Sequence, residues 1–221
     1  MTSFQTNRII HGEAAAQMAQ MPDRSIDLII TDPPYLVGYR DRHGRTVAND
    51  QNPDGVLPAF PHMHRVLRDD SYMILFCGWS AIDSFSTAWT QAGFRTVGQI
   101  FWRKPYASSA WHTECRQESA WLLAKGFPAK PVAPMSDAQE WVYSGNRFHP
   151  TEKSVDILAP LVRAYSRPGG VVLDPFSGSG STSVAAMLAG RQYLGIELDE
   201  SYCSHARNRL DGAARYRRKA A

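Results

Sequence analysis

Ser25-Ile26-Asp27-Leu28-Ile29-Ile30-Thr31-Asp32-Pro33-Pro34-Tyr35 is the stretch on which the reading of this chain turns. Its first seven residues are rich in branched aliphatics and almost continuously apolar, the pattern of a parallel strand covered on both faces. The run then stops on a carboxylate and two prolines, which puts Asp32 at the carboxyl end of a strand. Similar runs at 71–77, 170–174 and 192–197 predict the other central strands. Helix-like stretches at 56–67, 81–92, 155–165, 182–189 and 201–210 lie between and after them, with Gly93 and Gly190 where two helices should stop. Strands alternating with helices predict an α/β fold: a doubly wound, mostly parallel sheet with helices on both faces.

Two stretches break that rhythm. Residues 36–55 carry Gly38, Gly44, Asn49, Asn52-Pro53-Asp54-Gly55 and several arginines, and predict a long polar loop, of the kind that is usually functional in a compact domain. Residues 105–147 are richer in Pro, Trp and turn formers than in helical periodicity, and predict a small insertion at the rim of the sheet. The 221 residues suffice for one substantial core, so 1–221 is read as a single domain with these insertions.

Composition narrows the function classes. With 43% hydrophobic and 20% charged residues the chain should fold rather than stay disordered. A formal charge of +3 does not by itself argue for nucleic acid, but the basic residues cluster: Arg40, Arg42, His43 and Arg45; Arg103 and Lys104; Arg215, Arg217, Arg218 and Lys219. Cys77, Cys115 and Cys203 are odd in number and widely spaced, which supports neither a disulfide framework nor a zinc site. The seven histidines are scattered, and His62, His64 and His112 form no zinc spacing, so no metal is expected. The first residues lack a signal-peptide pattern and no apolar run approaches ~20 residues. A cytoplasmic protein with no membrane partner is expected.

A second motif follows the run at 170–174: Asp174-Pro175-Phe176-Ser177-Gly178-Ser179-Gly180-Ser181-Thr182. Ligands of open α/β sheets bind where strands end and their order reverses. Glycines directly after a strand let backbone approach such a ligand without obstruction. The next strand ends in Gly195-Ile196-Glu197, whose carboxylate can accept two ribose hydroxyls. A dinucleotide loop would present GxGxxG to a pyrophosphate, yet here the third position is Ser183 and Asp174 adds negative charge. That charge suits a ligand bearing a sulfonium and an ammonium group, which points to S-adenosylmethionine. His149-Pro150-Thr151-Glu152-Lys153 reads either as an extended step with a helix cap at Thr151 or as a Thr and a Lys at the edge of the same crevice.

The first motif carries the chemistry. An exocyclic amino nitrogen of adenine or cytosine is a poor nucleophile because its lone pair is delocalised into the ring. Asp32 as an ionised acceptor can take one N–H, a rigid Pro33-Pro34 pair can aim the Pro33 carbonyl at the other, and Tyr35 offers a flat face to a flipped base.

With these residues in that order, the chain resembles the amino-group DNA methyltransferases of the permuted β class, of the N6-adenine type. The resemblance rests on 25–35, 149–153, 173–182 and 195–199. It implies a Rossmann-like methyltransferase sheet, S-adenosylmethionine as methyl donor and double-stranded DNA with its target base rotated out. By position it implies Asp32, Pro33, Pro34 and Tyr35 as the amino pocket. It implies Asp174, Phe176, Ser177, Gly178, Ser179, Gly180, Thr182 and Glu197 at the cofactor, with Thr151 and Lys153 at the edge. Residues 36–55 would close over the base with Arg40, Arg42 and Arg45 near phosphates, and 105–147 would recognise sequence with Lys104, Trp111 and Arg116 among the contacts. The chain departs from the pattern at Gly12-Glu13, where the family often has Gly-Asp, and at Lys153-Ser154 in place of Lys-Pro.

Alternatives stay open at this stage. N4-cytosine methylation needs the same geometry, although Asp rather than Ser before the prolines leans toward adenine. Methylation of RNA or of a glutamine amide uses related tetrads, and a catalytically silent binding module would retain the fold. A homodimer is open, and a short recognition insertion predicts a brief or relaxed target sequence.

Overall fold

The computed structural model describes residues 4–40, 44, 46, 48–108, 112–146, 148–149 and 151–220, with the last five as backbone only. Along the chain run β1 (Arg8–His11), α1 (Ala14–Ala19), β2 (Ile26–Thr31), α2 (Ala59–Val66), β3 (Leu67–Phe76), α3 (Ile82–Gln91), β4 (Arg95–Arg103), β5 (Gln117–Lys125), β6 (Ala138–Glu140), α4 (Val155–Tyr165), β7 (Val171–Asp174), α5 (Ser181–Leu188), β8 (Gln192–Glu197) and α6 (Glu200–Ala220). The eight strands form one sheet in the order β1-β8-β7-β2-β3-β5-β4-β6. All neighbours pair in parallel except those of β5, which runs antiparallel to both β3 and β4. The α/β, mostly parallel architecture expected from the alternating pattern is the one observed.

From Leu28 to Thr31 successive residues of β2 serve opposite faces, while a register irregularity between Ile26 and Leu28 puts Ile26 on the side of Ile29. Ile26 and Ile29 pack with Met18, Phe60, Met63, Phe85 and Trp89 beneath α1–α3. Leu28 and Ile30 pack with Leu158, Leu161, Val162 and Ala185 beneath α4 and α5. This two-sided burial is why the strand is apolar at every position but Asp27 and Thr31. Across β5, Phe76 of β3 stacks on Trp102 of β4 at 5.3 Å, and α6 closes the far edge with Cys203, Ala206 and Leu210 against Ile9 and Val184.

The pairing of β2 with β7, Leu28 opposite Val172 and Ile29 opposite Leu173, creates the feature that matters for function. From β2 the chain crosses through α2 to β3 on one side, and from β7 it crosses through α5 to β8 on the other. The connections diverge, so the carboxyl ends of β2 and β7 face a crevice at the reversal of strand order. The two motifs, far apart in sequence, are neighbours there.

One expectation is corrected. The stretch 105–147 is not wholly a rim insertion, because Gln117–Lys125 within it is β5, hydrogen-bonded between β3 and β4 and buried at Ala120, Leu123 and Ala124. What lies outside the sheet on this side is 105–116 and most of 126–146. Among the described residues no helix is long and apolar enough to cross a membrane.

Candidate active site

The crevice opens into a cleft of about 1600 Å³ lined by Asp32, Pro33, Pro34 and Tyr35 from the first motif, Thr151 and Lys153 from the stretch before α4, and Phe176, Gly178 and Glu197 from the second motif and β8. At its floor four charged side chains from four chain segments interlock. Lys153 Nζ donates to Asp32 Oδ2 at 2.6 Å and lies 3.9 Å from Glu118 Oε1. Lys104 Nζ pairs with Glu118 Oε2 at 2.9 Å and sits 5.4 Å from the ring centre of Trp141. The Tyr35 hydroxyl donates to Asp32 Oδ1 at 2.7 Å, with Glu118 Oε1 at 3.2 Å as a second acceptor.

Two ammonium groups face two carboxylates, so the cluster is neutral, which is the condition for burying ions at tolerable cost. Its members shift one another in recognisable directions. Burial pushes the Asp32 carboxyl above its ordinary range against the opposing pull of Lys153. Burial also acts to raise Glu118, but Lys153 and Lys104 outweigh it and hold that carboxyl below the usual value. For Lys153 burial disfavours the ammonium, yet Asp32 and Glu118 win and its pKa is raised. The Tyr35 phenol is raised well above its usual value by burial and by the charges of Asp32 and Glu118, so it remains a donor. Gly78, at the end of β3, leaves room for Tyr35: a Cβ there would meet the ring at 3.1 Å.

The cofactor side is built differently, mainly from backbone. Gly178 has φ +51° and its N–H donates to Glu197 Oε2 at 2.7 Å, while Asp199 N donates to Glu197 Oε1 at 2.8 Å. The carboxylate is thereby aimed at the cleft with lone pairs to spare. Asp174 is buried behind the loop, accepting from Phe176 N at 3.1 Å, and burial raises its pKa to about 7 despite the Thr182 hydroxyl beside it. Ser177, Ser179, Gly180 and Thr182, all expected at the cofactor, lie behind the lining. Gly180 has a packing reason for its identity: φ is +80° and a Cβ would fall 2.8 Å from Ala206 Cβ on α6. Ser179 is held by Arg209, whose Nη1 donates to its carbonyl and its hydroxyl at 2.8 Å each and whose Nη2 pairs with Glu152 at 3.1 Å. Arg209 thus ties the glycine loop to the 149–153 segment.

A model of the family described as DNA methylase, of the N6/N4 type, matches residues 26–208. The chain belongs to the N6/N4 DNA methylase family. YubD of Escherichia coli (strain K12), assigned as a methylase, is 48% identical over 209 residues, covering 95% of this chain and 92% of that protein. The DNA adenine methyltransferase YhdJ of the same organism is 27% identical, covering 94% and 84%. Among solved structures the M1.HpyAVI–SAM complex superposes with a TM-score of 0.72 at 23% identity, covering 92% of this chain and 98% of that one. The cytosine-N4-specific PvuII DNA methyltransferase superposes with a TM-score of 0.74 at 14% identity, covering 91% and 85%. These two show the fold.

In this DNA methylase several expected residues occupy other places. Lys104, expected to touch DNA, is buried with its ammonium taken by Glu118, so a phosphate contact would have to break a buried ion pair. Lys153, expected at the cofactor edge, lines the same cleft and also donates to Asp32. Thr151 does line the cleft, with its hydroxyl 3.1 Å from His149 Nδ1. Arg40 and Arg116 are at the cleft mouth, Arg116 bonded to Glu114 at 2.7 Å, while Arg42, Arg45 and Trp111 lie outside the described residues. The base of the 36–55 loop is stapled by buried Asp50, which accepts from Leu36 N at 2.9 Å and Tyr39 N at 2.5 Å. Glu13 caps α1, its two oxygens accepting from Ala15 N and Ala16 N at 2.9 and 2.7 Å, and it also lines the cleft.

Glu118 was missed by the sequence reading. The signal is a lone carboxylate at the head of a run, Glu118 before Ser119-Ala120-Trp121-Leu122-Leu123-Ala124, the reverse in sequence of Asp32 after its own strand and brought to the same end of the sheet by the antiparallel direction of β5.

Proposed function

We propose that this chain moves a methyl group from S-adenosylmethionine to the N6 amino group of an adenine rotated out of double-stranded DNA. The observation that carries the reading is the placement of the Asp32 carboxylate in the same cleft as Phe176, Gly178 and Glu197, at the junction of β2 and β7. The residues fit the cofactor: a loop without side-chain obstruction at Gly178, a carboxylate at Glu197 aimed by two backbone N–H groups, and the buried charge of Asp174 behind. S-adenosylmethionine, when bound, supplies an electrophilic methyl group on a sulfonium. Asp32 accepts an N–H of the target, restoring lone-pair density to the amino nitrogen and balancing the positive charge that develops there during attack. Pro33 and Pro34 hold this acceptor rigid, and Tyr35 walls the base pocket. Arg40 and Arg116 at the mouth take phosphates, the 36–55 loop covers the flipped base, and the segments on either side of β5 read the flanking sequence.

The choice of adenine is supported by Asp in place of Ser before the proline pair and by a relative named as a DNA adenine methyltransferase. The fold alone is neutral, because a cytosine-N4-specific enzyme shares it. Methylating unmodified DNA in vitro and digesting it to nucleosides for mass spectrometry tests the assignment. N6-methyladenine is expected; N4-methylcytosine alone would overturn the base choice and leave methyl transfer standing.

A further inference from the structure

Both oxygens of Asp32 are already engaged: Oδ2 by Lys153 at 2.6 Å and Oδ1 by the Tyr35 hydroxyl at 2.7 Å. A hydroxyl carries one hydrogen and donates to one acceptor at full strength. Oδ1 keeps a second lone pair for an amino N–H, but that donor would share the oxygen and its charge with the Tyr35 hydroxyl. The same hydroxyl oxygen lies 3.2 Å from Glu118 Oε1, within hydrogen-bond range.

We propose that Glu118 is a positioning residue that receives the Tyr35 hydroxyl when the substrate amino group enters, leaving the charge of Asp32 Oδ1 to the amino N–H alone. This rests on the reading of Asp32 as the amino acceptor. The exchange requires only rotation of the phenolic O–H, because both acceptors are in reach of one oxygen position. Glu118 is suited to the task because Lys104 at 2.9 Å and Lys153 at 3.9 Å balance its charge, so it stays an ionised acceptor inside the fold. Tyr35 is suited because its neighbours keep the phenol protonated. The charge of the cluster is the same whichever carboxylate the hydroxyl faces, so the switch moves no ion. In the resting enzyme Tyr35 holds Asp32 fixed; in the loaded enzyme Glu118 holds Tyr35.

The test is a double-mutant cycle read by methyl transfer on DNA. The Glu118→Gln side chain offers Tyr35 a weaker, neutral acceptor and adds a competing donor. In the parent background Glu118→Gln is expected to lower kcat about tenfold, with KM for DNA and cofactor affinity within about twofold. In the Tyr35→Phe background there is no hydroxyl to relocate, and the same substitution is expected to change kcat less than about twofold. An equal loss in both backgrounds, or no loss in the parent, would overturn the proposal. If thermal unfolding shows that Glu118→Gln does not fold, Glu118→Asp carries the same cycle, since it keeps the charge facing the lysines and withdraws the acceptor from Tyr35. Asp32→Asn run alongside separates the two readings. Parental activity in that variant would remove Asp32 as the acceptor, whereas an inert variant with a strictly additive cycle would remove only the role of Glu118.

Discussion

Asp32 and Asp174 end adjacent strands, Asp32 half-buried at the cleft and Asp174 buried behind it, yet their surroundings are assembled from different material. Asp174 is held mainly by its own loop, by Phe176 N and the Thr182 hydroxyl, with the Thr31 hydroxyl of β2 beside it. Asp32 receives one donor from its own turn, Tyr35, and its counter-charge from Lys153 before α4, with Glu118 of β5 and Lys104 after β4 completing the cluster. The cofactor side is built mainly from backbone amides and glycines, held from outside by Glu197 of β8 and Arg209 of α6. The catalytic side is a charge cluster that exists only when the sheet has closed. The two should therefore fail differently under mutation.

The largest effect is expected from Asp32→Ala. Loss of a charged acceptor at the reacting atom should cost on the order of 3 kcal/mol of barrier, a hundredfold or more in turnover. Cofactor affinity, measured by calorimetry, should hold within about twofold, because Asp174 and Glu197 are untouched. A matching fall in cofactor affinity would erase the contrast between the two sides.

Next come the two glycines of the cofactor loop, which the structure separates. Gly178→Val places a branched side chain at φ +51° on the cleft lining and should weaken cofactor binding by about 2 kcal/mol, roughly thirtyfold. Gly180→Ala should act on the fold instead, lowering the unfolding midpoint by several degrees through its left-handed φ and the contact with Ala206. Cofactor affinity in the folded fraction should change little. Interchanged outcomes would put Gly180, rather than Gly178, at the ligand.

The smallest effect is a pH dependence. Asp174 has a folded pKa raised to about 7, so its contribution to the stability of the free chain is fully present below the ordinary carboxyl value and is lost as pH rises through 7. A cationic ligand favours the ionised form, so binding should release a proton below pH 7. Cofactor affinity should rise about tenfold between pH 6 and 8 and then level off. Calorimetry in buffers of different ionisation enthalpy detects that proton directly. A flat profile would place the sulfonium away from Asp174.

How much of this was legible follows from the range of the forces involved. Strands β2, β3, β7 and β8 and helices α2–α6 were readable because each buries a continuous apolar run or stripe, and burial is written in local composition. Strand β5 was not. Gln117-Glu118-Ser119-Ala120-Trp121-Leu122-Leu123-Ala124-Lys125 is dominated by helix formers, and only pairing with β3 and β4 on both sides makes it extended. Missing that strand meant missing Glu118, and without Glu118 the sequence points Lys104 outward to DNA and leaves the bond between Lys153 and Asp32 unseen. Charged residues in an unplaced segment look like surface. Their burial is a consequence of partners supplied elsewhere.

By itself the sequence determined the α/β class, the positions of Asp32 and of the Asp174–Thr182 loop at strand ends, and the amino-methylating chemistry, because apolar periodicity and turn-forming residues act over a few positions. Tertiary structure alone decided that β2 and β7 lie side by side, that Gly180 packs while Gly178 faces the cleft, and that Asp32, Lys153, Glu118 and Lys104 meet. Ion pairing and close packing act through space between residues remote in the chain, and no local pattern encodes which of the available charges will be brought together.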